Sequence, residues 1–163
     1  MSTSAQDNPV TGFRLEGFLP YRLAVVTDCV SRVFAGNFLE SFNLTMPEWR
    51  VIAVVAEDGT LSPTATAART AMDKVKVSRA AQSLVAKGLL RQSADPRDGR
   101  GRLLRLTRKG VTTHAAIVPL AIKLEATLFD DLSRADMAAL NRVLAKIATR
   151  VEMLDPAGED KAA

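Results

Sequence analysis

A mainly α-helical chain interrupted by one small β-hairpin is the fold class this sequence predicts. Three observations predict it. Apolar residues recur at helical spacing along most of the chain, Ser, Thr and Asp stand where helix starts need caps, and the only strand-like stretch is a pair of short apolar runs around a polar turn between Gly88 and Thr107. At 163 residues the chain is the size of one ordinary domain, long enough to bury a core without disulfides or metal.

The elements follow in order. From Pro20 to Glu40, Leu23, Val26, Val30, Val33, Phe34 and Phe38 fall on one face of a first helix. Thr45 and Glu48 form a T-x-x-E capping box around Pro47 and start a second helix, which stops near Asp58-Gly59. Ser62-Pro63 begins a third, short helix, PTATAART; Asp73 caps a fourth, closed by Gly88. Leu89-Leu90-Arg91 and Leu103 to Leu106 then flank a turn made of Asp95-Pro96, Asp98-Gly99 and Gly101, the pattern of a hairpin. Thr107 caps a long fifth helix with Val111, Ala115, Val118, Ala121, Leu124 and Leu128 on one stripe and Pro119 as an expected kink. Ser133 and Asp136 make a second capping box for a last helix. There Met137, Leu140, Val143, Leu144, Ile147, Val151 and Leu154 recur at near-heptad spacing, a stripe expected to pack on a helix of another subunit.

Helices three and four, joined by a short turn around Thr70 to Met72 and followed by a hairpin, read as a winged helix-turn-helix. The expected organisation is a flexible arm over 1–18, a helical dimerisation region over 19–44 and 108–154, the winged helix-turn-helix over 45–107, and a flexible tail over 155–163.

Charge points to the partner. Between Asp73 and Lys109 there are eleven Lys and Arg against three Asp, a local +8 in a chain whose net charge is +4. An exposed helix usually mixes signs to gain i,i+4 pairs; this window nearly lacks acids, as a surface resting on a polyanion does. On the fourth helix, Val77, Ala80, Ala81 and Leu84 form the inward stripe, so Lys74, Lys76, Ser78, Arg79 and Gln82 are left for the major groove of duplex DNA. Arg and Lys donate to guanine, Gln pairs with adenine, and Ser bonds base or phosphate. At the hairpin, Arg97, Arg100 and Arg102 are placed to reach an adjacent minor groove or backbone.

Composition excludes other classes. No apolar run approaches the ~18 residues of a membrane span, and the N-terminus lacks a basic start and an apolar core, so a cytoplasmic protein without membrane contact is expected. One cysteine, Cys29, forms no internal bridge and no zinc site. With one His, one Cys and no phosphate-binding glycine loop, neither metal, cofactor nor catalysis is expected. The competing reading is a basic module that docks an acidic protein and binds no specific DNA.

The segment from Leu44 to Gly110 resembles the core of the MarR family of bacterial transcriptional regulators. VSRAAQSLVAKGLL matches the recognition helix, Asp98-Gly99-Arg100 the D-x-R wing motif, and Leu106-Thr107 with Gly110 the LT-x-x-G that opens helix five. The resemblance implies a homodimer on a pseudo-palindromic operator, more often repressor than activator, with Arg100 as the minor-groove arginine and Asp98 as the acid that steadies the wing arginine. It implies release by a small aromatic ligand or by thiol oxidation. PEWRVIAVV and AMDKVKVSRA are similar to a branch that controls breakdown of aromatic acids such as hydroxycinnamates, sometimes sensing their coenzyme A thioesters. Tyr21, Arg22, Trp49, Arg50 and His114 are the candidates for such an effector, in a cleft between helices one, two and five: arginines for a carboxylate or phosphate, Trp49 to stack, His114 to exchange a proton. The plainer expectation is Trp49 in the core, the arginines on the surface or in dimer salt bridges, and His114 as a polar surface or interface side chain. Cys29 lies at the edge of helix one's apolar stripe and is expected to pack as an inert thiol; oxidation sensing, helped by Arg32 and opposed by Asp28, is the alternative.

Overall fold

The computed structural model describes residues 13–96 and 98–154, with the backbone alone at 98–100. The tail over 155–163 and most of the N-terminal arm lie outside the described residues. The chain forms two compact units that divide between Val33 and Phe34.

In the first unit a 3-10 turn, Leu15–Gly17, precedes helix α1, Leu19–Phe34. The rings of Phe13 and Phe18 meet at 5.3 Å, so the end of the expected arm is locally folded. Cys29 corrects an expectation: it is exposed, and Arg32 Nη2 donates to its Sγ at 3.1 Å.

The regular helix also ends earlier than its apolar spacing suggests. After Phe34 the backbone widens into one π turn, Ala35–Leu39, tightens into a 3-10 turn, Glu40–Phe42, and stops at Asn43 with φ 53°. Gly36 and Asn37 are weak helix formers, and the wide turn lets Phe38 and Leu39 both enter the core.

Helix α2, Met46–Asp58, starts with the full capping box: Thr45 accepts from the Glu48 N–H, and Glu48 Oε2 accepts from the Thr45 N–H at 2.7 Å. Helix α3, Pro63–Thr70, is capped by Ser62, and Ala71 turns the chain in the left-handed region at φ 52°. Helix α4, Lys74–Ala86, is capped by Asp73. It ends where Gly88 adopts φ 71°, a conformation that favours glycine, and the Leu89 N–H returns to the Leu84 carbonyl.

Strands β1, Leu90–Asp95, and β2, Asp98–Leu106, form an antiparallel hairpin. Its strands run through most of the stretch expected as a loop, because backbone pairing needs no apolar side chain. The register is regular from Leu90 opposite Leu106 to Ala94 opposite Arg102; Asp95 then faces Asp98, so 99–101 are inserted on one side only. Leu61 adds a bridge to Leu104, its N–H and carbonyl both paired, which extends the sheet by one residue of a third segment. An isolated leucine between polar neighbours carries no strand signal.

Helix α5, Arg108–Leu128, is capped by Thr107 and runs as one element through Pro119. Helix α6, Arg134–Leu154, starts from the Ser133–Asp136 box. By length and composition alone α5 passes as a membrane span, which the run-length reading missed. Ile117 is nonetheless fully buried, Ala121 and Leu124 pack on the core, and His114, Lys123 and Glu125 interrupt its surface.

The core of the second unit joins Val51, Ile52 and Val55 of α2 to Ala80, Ala81 and Leu84 of α4, then to Leu89, Leu90, Leu104 and Ile117. Burying such side chains is worth about 1.5–3 kcal/mol each, before the entropy they lose.

Candidate nucleic-acid interface

Helix α4 has two opposite faces. Val77, Ala80, Ala81 and Leu84 are buried, while Lys74, Lys76, Ser78, Arg79 and Gln82 are all exposed. The sequence reading of these nine positions holds because a 3.6-residue period leaves no freedom once one stripe is committed to the core. The start of the helix is fixed by Asp73 Oδ1, which accepts from the Lys76 N–H at 2.7 Å; that bond holds the carboxyl below its usual range. Lys76 Nζ lies 3.6 Å from the same carboxylate, so its ammonium is partly neutralised.

The other end is locked by a pair the sequence did not reveal. Glu48 is 3% exposed, and its Oε1 accepts from Lys87 Nζ at 2.6 Å. Lys87 also donates to the Asn43 carbonyl at 2.7 Å. Burial opposes ionisation of Glu48, but the bonds from Lys87, Ser83 and the Thr45 N–H outweigh it, and the net effect lowers its pKa. One carboxylate therefore caps α2 and anchors the C-terminal end of α4. A shallow groove of about 280 Å³ runs beside this junction, with Lys76 and Arg79 on one wall and Thr45 and Pro47 on the other.

The hairpin is held to the same body. Arg105 Nε donates to Thr60 Oγ1 at 2.9 Å, and Thr107 Oγ1 donates to the Gly88 carbonyl at 2.7 Å while accepting from the Gly110 N–H. A Cβ at Gly110 would overlap the Leu89 carbonyl oxygen, so the backbones meet too closely for any other residue. Arg102 is exposed on β2. Arg97 lies outside the described residues, as do the side chains of Asp98 and Arg100.

The basic window thus separates by role. Lys87, Arg105 and Lys109, which donates to the Lys87 carbonyl at 2.9 Å, are committed to internal bonds. Among the described residues of the window, Lys74, Arg79, Arg91, Arg102 and Arg108 pair with no carboxylate and remain available to a polyanion. Outside the window, Arg69 of α3 is tied to Asp58 at 3.0 Å and Glu57 at 2.9 Å, which draws its charge toward α2.

Of the effector candidates, Trp49 and His114 come together: their rings stack at 5.7 Å and 20°. Trp49 packs on the core as the plainer reading had it, and His114 is half-buried beside it. Burial lowers the His114 pKa. Arg50 is half-buried on α2, and Tyr21 and Arg22 are exposed on α1. Among the described residues no His, Cys, Asp and Glu group is arranged to hold a metal ion.

A helix-turn-helix of α3 and α4, backed by a hairpin wing and carrying open cations on the outer face of α4, defines a winged-helix DNA-binding protein. Residues 42–101 match the MarR family. A MarR family transcriptional regulator from Silicibacter pomeroyi is 30% identical, with TM-score 0.72 over 83% of this chain and 90% of that one. BpsR of Bordetella bronchiseptica, whose DNA binding is regulated by 6-hydroxynicotinic acid, is 26% identical, with TM-score 0.73 over 79% of this chain and 97% of that one. The HTH-type transcriptional repressor IacR of Pseudomonas putida is 25% identical over 142 residues, which is 87% of this chain and 84% of IacR. The chain belongs to the MarR family of transcriptional regulators.

Proposed function

We propose that the protein is a cytoplasmic repressor that binds a pseudo-palindromic operator as a homodimer and is released by a small aromatic acid or its coenzyme A thioester. The observation that carries the DNA reading is the outward face of α4, where Lys74, Lys76, Ser78, Arg79 and Gln82 are exposed opposite a fully buried apolar stripe. These residues bind at the major groove, while Arg97, Arg100 and Arg102 serve the minor groove and backbone and Asp98 steadies the wing. Residues 45–107 form the DNA-binding domain. Residues 19–44 and 108–154 form the dimerisation region, with half-sites about one helical turn, ~10 base pairs, apart.

Dimerisation is supported by apolar surface that one protomer leaves uncovered. No residue of α6 is buried, and Val143, Leu144, Val151, Met153 and Leu154 are exposed. The effector is supported by the stacked Trp49–His114 pair, with Arg50 beside Trp49 on α2, and by the 6-hydroxynicotinic acid response of BpsR. The role is regulatory and not catalytic.

A duplex selected from a randomised library tests this reading. Wild type binds it with an affinity that falls steeply between 50 and 200 mM salt, and Arg79→Ala weakens binding and relaxes specificity. A flat salt dependence, or no enriched sequence, leaves the protein-docking alternative.

A second reading has its own observation. Cys29 is exposed with a guanidinium nitrogen 3.1 Å from its sulfur, the setting of an oxidisable thiol. If oxidation is the signal, peroxide releases wild type from DNA and spares Cys29→Ser.

A further inference from the structure

The outward stripe of α4 contains one residue that neither charge nor core packing accounts for. At 100° per residue, the direction opposite Val77, Ala80, Ala81 and Leu84 runs through Val75, Ser78, Arg79 and Gln82. Val75 lies on the axis of that face, and Lys74 and Lys76 fall about 100° to either side of it. The flanking position suits the two lysines to the phosphate walls of a groove, and the central stripe faces its floor. Val75 is 60% exposed, a β-branched apolar side chain in the first turn of the helix, and its neighbours on that stripe, Ser78, Arg79 and Gln82, are polar. Its shape gives no advantage to the helix, since β-branched residues are mediocre helix formers. It contributes nothing to the core either.

On the floor of the major groove, the one apolar group that base edges present is the 5-methyl of thymine. We propose that Val75 reads a thymine methyl in each half-site, packing its γ-methyls against it, so that the helix recognises one base by apolar contact beside those it recognises by hydrogen bonds. This rests on the reading of α4 as the groove-reading helix. Arg79 lies one turn further along the same stripe, about 6 Å away. At 3.4 Å per base step, the thymine lies roughly two base pairs from the guanine that Arg79 contacts. Val75 is thereby a specificity residue, while Lys74 and Lys76 supply affinity that any sequence would share.

The test uses the duplex enriched by the full-length wild-type protein. Each thymine is replaced singly by deoxyuridine, which deletes the methyl and nothing else, and binding is followed by fluorescence anisotropy. Wild type is expected to lose about fourfold in affinity at one thymine per half-site, the effect of one methyl group removed from a dry contact. Val75→Ala is expected to bind the thymine and deoxyuridine duplexes equally, with an unchanged circular dichroism spectrum because the side chain lies outside the core. No deoxyuridine effect in wild type, or the same effect in Val75→Ala, overturns the proposal. If Arg79→Ala still relaxes specificity in that case, only the role of Val75 has failed. If no duplex is enriched at all, the DNA reading and this proposal fail together.

Discussion

Lys87→Met isolates the lock between α2 and α4. The substitution keeps the length and apolar stem of the side chain but removes an ammonium that donates to Glu48 Oε1 at 2.6 Å and to the Asn43 carbonyl at 2.7 Å. Hydrogen bonds to charged groups contribute about 1.5–3 kcal/mol each, and stranding one ion of a buried pair costs about 3–5 kcal/mol. A quarter of the Lys87 side chain stays open to water and Glu48 keeps its bonds from Thr45, so the cost falls at or below the bottom of that range, about 2–3 kcal/mol. With a urea slope of about 1–3 kcal/mol/M, the unfolding midpoint falls by about 1 M. The comparison is made at one protein concentration, because association couples to stability. The pH dependence carries the mechanism. Glu48 titrates below its ordinary 4.5 in the folded protein, so its contribution is fully present above pH 4.5 and is lost as pH falls through the lowered value. The deficit of Lys87→Met is therefore largest at neutral pH and shrinks in acid, and the carboxyl of Glu48 in the variant rises, which carbon-13 NMR reads directly. A deficit below about 0.5 kcal/mol at pH 7, the size of an exposed pair, or one that is constant down to pH 3, refutes the reasoning.

Four further outcomes are expected. Gly110→Ala forces a methyl into the Leu89 carbonyl and destabilises the protein by about 1–3 kcal/mol, seen in urea unfolding; an unchanged midpoint would mean that the hairpin and α5 separate freely. Ala71→Gly relieves a left-handed backbone at φ 52° and stabilises by about 0.5–1 kcal/mol, read as a melting temperature raised by a few degrees. His114 has its pKa lowered from 6.5 by burial, so the folded state loses stability as pH falls through 6.5 toward the lower value. His114→Phe, which keeps a ring on Trp49, removes that slope between about pH 7 and 5 in melting curves; an identical slope would contradict a buried imidazole. Arg102→Ala lowers affinity for all sequences alike and flattens the salt slope by about one unit, measured by anisotropy against salt concentration.

The positions that sequence reading placed correctly are those where the cause is local. Thr45, Ser62, Asp73, Thr107 and Ser133 cap the helices they precede, since a cap needs only a short polar side chain within three residues of an unpaired N–H. The buried and exposed faces of α4 are equally local, set by the helical period. The readings that missed depend on residues distant in sequence. Glu48 and Lys87 are 39 positions apart, Arg105 and Thr60 are 45 apart, and the Leu61–Leu104 bridge has no periodic signal. A charge count treats Lys74 and Lys87 alike, although one faces solvent and the other holds two helices together.

From its sequence alone this protein's element order, helix caps, basic surface and family likeness were determined, because each arises from neighbours along the chain or from composition. Only the tertiary structure decided which cations stay open, that Cys29 is exposed, and that Trp49 stacks on His114. Burial and pairing are properties of surfaces that meet, and the chain's linear order does not record which surfaces those are.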